Sequence, residues 1–524
     1  MGVPDIPERA WWIGVAVIML IAAVLRLYDL NLVPLHHDEG VNGNFLVRLV
    51  RDGDYRYDPA NYHGPTLYYF SAIIPWITKL LFGAAARDNY GMTTFTIRLI
   101  PVIFGLGTIA LVFPLRRRLG TIGTLSAALL LAVSPGAVYL SRYYIHEMLF
   151  VFFTLGIVVA GLRFYETRNP TYLVLASASA ALLFATKETS IISLAVLLIA
   201  FAVTHLYRSL YRRAMDLPSG RGRNQQSAFG RFVEDVGTAN LLVSVGIALV
   251  VFFFLNIAFY TSFFNHSQGM WDAIKTFEIW SKTSEAAHAD KPRLQYLYWL
   301  ASQEGPILFT AIAGAVLVVV KPKNSFALFS ALWGFGLTAA YTLIPYKTPW
   351  LALNFVIPLA LIAGYALQFV YELAAGQLRI VAVLLTVLIG VSAYQTIDLN
   401  FINYDNDKPY YVYVYAHTTR GLLDLVNNVE QIAAEKDGTN TGITILSPDY
   451  WPLPWYFRNY SRTAYFGRMA PSVEPLIIAN LSQKAEVEQN FGHLYRQVAS
   501  KDPDGAFDLR PGVRLILYVR RAGL

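Results

Sequence analysis

The sequence predicts a polytopic α-helical membrane protein with a small α/β domain at its C-terminal end. Three observations predict it. Of 524 residues, 55% are hydrophobic and only 15% charged, where a soluble chain carries about 25% charged residues. Apolar runs of a length suited to crossing a bilayer, roughly 20 residues, recur from residue 11 to residue 397. After Asp398 the composition changes to a Tyr-, Asn- and Asp-rich stretch followed by short helical and β-type patterns. The chain has no cysteine, which excludes disulfides, thiol catalysis and Cys-based zinc sites. The net charge of +7 is modest and fits inward-facing Lys and Arg better than nucleic-acid binding.

Taken in order, spans are expected at 11–28, 94–114, 121–140, 148–164, 171–186, 189–206, 240–260, 305–320, 325–344, 350–371 and 380–397. The first is read as a retained helix, because no small-residue cleavage site follows it. Alternate connections hold Arg9; Arg116, Arg117 and Arg118; Arg163 and Arg168; the basic 207–239 loop; Lys321 and Lys323; and Arg379. The positive-inside tendency makes that set cytoplasmic. The alternation stays coherent only if 66–82, with Pro75, Trp76 and Lys79, lies on the surface as an interfacial helix. The N-terminus is then cytoplasmic, and 29–93, 261–304 and everything after about 398 are extracytoplasmic. Residues 207–239 read as partly disordered. Domain limits follow at 1–397 for the membrane domain and 398–524 for the C-terminal domain. In the latter, helical periodicity covers 422–434 and β-type runs cover 442–446, 475–479 and 513–518.

The chemistry concentrates in Leu35-His36-His37-Asp38-Glu39-Gly40, echoed by His63-Gly64-Pro65. Two carboxylates flanked by two histidines beside a membrane suit general-base work or metal binding. A helix cap is the plainer role: Asp38 would serve as N-cap for a helix starting at Glu39. Three short outward turns each hold one cation in a polar motif: Ser141-Arg142-Tyr143, Thr186-Lys187-Glu188 and Pro345-Tyr346-Lys347-Thr348-Pro349. A phosphate at the membrane surface would pair with such cations; snorkelling interfacial anchors would look the same singly. Trp451, Trp455, Tyr456 and Tyr460 suit either a sugar-stacking surface or a core.

The order and sidedness of these motifs, with Ile97-Arg98-Leu99-Ile100-Pro101 and Arg116-Arg117-Arg118 between them, resemble the GT-C glycosyltransferases over roughly residues 10–370. The similarity is to protein O-mannosyltransferases, lipid A aminoarabinose transferases and a flippase-activity-associated branch. The resemblance implies transfer of a sugar from a polyprenyl-phosphate donor to a protein, lipid or glycan acceptor on the extracytoplasmic side of the cell membrane. It implies Asp38 as catalytic base with Glu39 beside it. It implies Arg142, Lys347, Lys187 and His63 as donor-phosphate ligands, although Gly64-Pro65 stands where the family has a Pro-Pro pair. His37, Tyr143 and Tyr346 adjoin these groups as candidate substrate contacts. No cofactor is required. A divalent cation on His36, His37, Asp38 and Glu39 is the alternative use of that stretch. A flippase, or flippase accessory, for the same lipid-linked sugar is the alternative function.

Overall fold

The structure is a computed structural model that describes residues 6–61, 63–83, 91–215, 228–286 and 291–521. Parts of the expected cytoplasmic loop, including Ser219, and His288 and Asp290 of the 261–304 loop lie outside the described residues. Among the described residues, eight helices are long and apolar enough to cross a membrane. Two further pairs, Thr121–Ala132 with Pro135–Ser141 and Gln295–Gln303 with Gly305–Val320, are bent by 58° and 112°. Pro170–Phe184 and Thr66–Phe82 are shorter apolar helices, the latter carrying Pro75. Every expected span therefore falls on a helix.

The chain forms two compact units. The first comprises 1–28, 55–67 and 99–402. Among the described helices long enough to span, the most buried is Leu353–Leu373, packed on Thr121–Ala132, Gly305–Val320 and Ser325–Leu343. Glycines allow this proximity: a Cβ on Gly364 would lie 2.3 Å from the Gly123 carbonyl. Close backbone approach at small residues is how helices pack without a hydrophobic gain in lipid.

The break at 133–134 shows how buried polar groups are satisfied. The helix ending at Ala132 leaves carbonyls without helical partners. Arg26, fully buried on α1 (Glu8–Leu27), donates to Ala132 O at 2.9 Å and Leu131 O at 3.1 Å. Thr396 donates to Val133 O at 2.6 Å. On the other side of the break, Glu304 accepts from Gly136 N at 2.8 Å and Ser134 Oγ at 2.9 Å. A cation thus meets the carbonyl end and a carboxylate meets the amide end, as the helix dipoles require.

The second unit comprises 29–54, 68–98 and 403–524. Its sheet runs in the order β2 (Thr463–Tyr465), β1 (Ile443–Ile445), β3 (Leu476–Asn480), β6 (Val513–Arg520), with β4 (Tyr495–Gln497) and β5 (Ala506–Arg510) both pairing β6. β1 is parallel to β2 and β3, and β6 is antiparallel to its three partners. Leu476, Ile478, Leu515 and Leu517 face the Gly421–Ala434 helix through Leu422, Leu425 and Val429. Ile477, Ala479, Ile516 and Tyr518 face Val487 and Phe491. Burial on both faces explains the continuous apolar runs 476–479 in β3 and 515–519 in β6. β2, β4 and β5 went unseen in the sequence because they are short and mix polar with apolar residues.

Candidate active site

The acidic pair opens α2 (His37–Arg51). The cap of this helix is His36, not Asp38. His36 Nε2 lies 3.0 Å from Tyr415 O, so it carries the proton, and Nδ1 accepts from Asp38 N at 3.1 Å. Glu39 closes the box, accepting from His36 N at 2.9 Å. Its carboxylate is also gripped by Arg98, with Nε at 2.7 Å from Oε1 and Nη2 at 2.6 Å from Oε2. Both side chains of this pair are at most 2% exposed. The remaining Arg98 donors reach Leu30 O at 2.8 Å, Val33 O at 2.9 Å and Pro34 O at 3.4 Å. All five guanidinium N–H groups are thereby used, and the loop before α2 is tied to one buried fork.

Asp38 is the opposite case. Its side chain is 42% exposed, and His36 Nδ1 lies 3.9 Å away. Among the described residues no hydrogen bond holds its carboxylate. Burial pushes the neighbouring His37 imidazole below its ordinary value, with Asp38 pulling the other way.

Two glycines seat α2 on the C-terminal chain. A Cβ on Gly40 would lie 2.5 Å from Pro452 Cβ, and one on Gly43 would lie 2.6 Å from the Trp455 ring. Tyr456 accepts from Leu35 N at 3.0 Å, and burial pushes its phenol up to about 12. Trp455 is 1% exposed, so in the Trp/Tyr group it serves as core. Arg458 lies 4.2 Å over the Trp455 ring and donates to Met92 O at 2.8 Å.

A second polar cluster belongs to the other unit. The His63–Thr66 strap pairs with 185–187 as a short antiparallel bridge. Gly64 N donates to Thr186 O at 3.0 Å, and Thr66 N donates to Ala185 O at 3.3 Å. A Cβ on Gly64 would lie 2.0 Å from the Ala185 carbonyl, which is the steric reason for glycine ahead of Pro65. His63 Nδ1 faces buried Glu188 at 3.2 Å, with the ring 29% exposed. His146 Nε2 holds Gly64 O at 3.0 Å, and burial keeps this imidazole well below its ordinary value. Lys187 Nζ meets Glu147 at 2.5 Å, both buried.

The remaining expected cations sit at helix ends. Arg142 Nη1 donates to Tyr28 O at 2.5 Å and Arg26 O at 3.3 Å, at the end of α1, with Phe401 under its guanidinium at 4.7 Å. Lys347 Nζ donates to Ile344 O at 2.6 Å and Thr342 O at 3.3 Å. Burial, then the nearby Arg293 guanidinium, hold its ammonium below the usual lysine value. Lys291 adds a third cation, donating to Lys347 O at 2.9 Å. Tyr143 is buried and Tyr346 partly exposed. Sequence reasoning gave no site role to Arg98, Glu147, Glu188, Arg293 or Lys291, although Arg98 and Glu188 lie inside motifs it singled out. Ionisable residues at the edges of apolar spans were the available signal for the first three.

For a metal at His36, His37, Asp38 and Glu39 the geometry does not fit. Both His36 nitrogens and the Glu39 carboxylate are already engaged. Among the described residues no group of three or more His, Asp or Glu side chains is arranged to hold an ion.

The family model for dolichyl-phosphate-mannose-protein mannosyltransferase matches residues 71–217. ArnT from Cupriavidus metallidurans, solved bound to undecaprenyl phosphate, aligns over 99% of each chain at 14% identity and TM-score 0.58. Its apo state aligns over 98% of each chain at 13% identity and TM-score 0.60. The chain has the GT-C glycosyltransferase fold. The archaeal oligosaccharyltransferase AglB from Archaeoglobus fulgidus, solved with an inhibitory peptide and a dolichol-phosphate, is similar at 14% identity and TM-score 0.52. That match covers 96% of this chain and 74% of AglB. No curated protein sequence matches. The GT-C likeness to ArnT runs the length of the chain, including the C-terminal residues that the sequence motifs left uncovered.

Proposed function

We propose that this GT-C-fold protein transfers a sugar from a polyprenyl-phosphate donor to a hydroxyl-bearing acceptor on the extracytoplasmic side, with Asp38 as general base. The observation that carries the reading is the split between adjacent carboxylates. Glu39 is buried and engaged by Arg98 and His36 N, while the Asp38 side chain is 42% exposed and, among the described residues, held by no hydrogen bond. A base must reach the proton it removes, and only Asp38 of the two has that access. In the reaction the acceptor O–H proton passes to Asp38 and the acceptor oxygen bonds the anomeric carbon. The bond from that carbon to the phosphate oxygen breaks, and polyprenyl phosphate leaves as the anion.

The leaving anion needs fixed positive charge. Lys347, Arg293 and Lys291 are three cations in company and suit this role. His63, oriented by Glu188, and Arg142 are further proposed phosphate ligands. The charge of Lys187 is matched by Glu147, so its proposed part is to hold the His63 strap near the phosphate. The family description and the lipid phosphates bound in the ArnT and AglB structures support a lipid-linked donor.

The test is turnover of radiolabelled polyprenyl-phosphate mannose by the purified protein and its Asp38→Asn variant. The wild type should release free polyprenyl phosphate. The variant should fall by about 100- to 10,000-fold with donor affinity retained. Relocation of unaltered lipid between leaflets, with no release, would replace the transferase reading with a flippase.

A further inference from the structure

We propose that the acceptor is a carbohydrate, and that its reacting sugar rests on a shelf formed by Trp451, Tyr450 and His37 beside Asp38. The inference rests on the reading of Asp38 as base. In the Trp451–Phe457 segment, Leu453, Trp455 and Phe457 are at most 1% exposed. Trp451 and Tyr450 stay partly exposed. The Trp451 ring lies against the first turn of α2, 3.4 Å from where a Gly40 Cβ would be. Its centroid is 6.1 Å from the His37 ring and 5.7 Å from the Tyr450 ring. A row of three rings therefore ends at the residue preceding the base.

Planar polar groups accompany the row. Arg510 is paired with Asp449, both partly exposed, and both act on the charge of His37. Aromatic faces carry negative potential and attract the C–H-rich face of a pyranose. Carboxylate, guanidinium and imidazole groups then match its hydroxyls. A peptide acceptor would instead be gripped through its backbone, whereas this shelf presents side chains. The apolar rings and polar rim are the composition of a small, oriented ligand site.

The experiment is saturation-transfer NMR on the full-length protein in detergent, with maltohexaose and mannohexaose as probes. A Ser/Thr-rich peptide and undecaprenyl phosphate are run beside them. Sugar C–H signals should appear with wild type. They should weaken by about tenfold in affinity with Trp451→Ala and largely return with Trp451→Phe. Undecaprenyl phosphate binding should be the same in all three, showing that the fold survives. Binding of neither sugar would overturn the proposal. So would unchanged sugar binding by Trp451→Ala, or Trp451-dependent binding of the peptide in place of the sugars. Binding is read without turnover, so active Asp38→Asn would remove the base while leaving this result to stand or fall separately.

Discussion

Replacing Glu39 by Gln removes one charge and preserves the shape of the side chain. In the structure that carboxylate accepts three hydrogen bonds, from Arg98 Nε at 2.7 Å, Arg98 Nη2 at 2.6 Å and His36 N at 2.9 Å. Gln has one acceptor oxygen for three donors, and its own NH2 must point at another donor. Arg98 is 2% exposed, so its charge would remain buried with only carbonyl partners. Breaking a buried ion pair by removing one partner costs about 3–5 kcal/mol. Glu39→Gln should therefore lower Tm by several degrees in detergent, and any activity loss should track the loss of folded protein. Arg98→Lys should destabilise as well, because three ammonium donors cannot replace five in a planar fork. Asp38→Asn should leave Tm within the range of ordinary surface changes, about 0.5 kcal/mol, while abolishing transfer. Thermal unfolding followed by intrinsic fluorescence, with turnover at a temperature where all variants are folded, separates the two. A Glu39→Gln protein as stable as wild type but inactive would refute this reasoning and move the base to Glu39.

Four further outcomes follow from the geometry. Gly64→Ala should displace the His63 strap, because its Cβ would lie 2.0 Å from a backbone oxygen; we expect about 1–3 kcal/mol of destabilisation with weakened donor binding, measured in nanodiscs. Lys347→Ala should weaken undecaprenyl phosphate binding by about 10- to 100-fold, the range for losing a hydrogen bond to a charged group, and Arg293→Ala should add to it; an unaltered affinity in the double variant would remove this cluster from the donor site. His146 has its folded pKa depressed below 6.5, so the unfolded chain binds more protons below that value and stability is lost as pH falls through it; His146→Gln, which keeps the donor to Gly64 O, should flatten the decline of Tm below about pH 6.5. For sidedness, a cysteine at Ser461 should react with an impermeant maleimide in intact cells and one at Thr167 should not, the chain having no native cysteine; the reverse labelling would invert the Lys/Arg reading.

Much of this protein was legible before any coordinates. Apolar length placed every expected span on helix among the described residues, because a bilayer core sets one length scale that composition alone must satisfy. Runs rich in β-branched and apolar residues located β1, β3 and β6, and in β3 and the 515–519 part of β6 cover on both faces leaves no polar position to interrupt the run. The block from His36 to Glu39 stood out as the candidate for chemistry because ionisable residues are expensive beside a membrane and collect where they are used. The different surroundings of the residues inside that block were decided only in three dimensions. Successive helical residues diverge by about 100°, so Asp38 and Glu39 necessarily face different surroundings, and the sequence is silent on which faces the interior. Arg98, 59 positions away, settles it by taking Glu39. Tyr415, 379 positions away, fixes the His36 tautomer and makes that histidine the helix cap in place of Asp38. Glu188, 125 positions from His63, orients its ring. In each case the deciding group is a partner for a buried charge or donor. Which distant partner meets it follows from chain packing, on which local pattern carries no information.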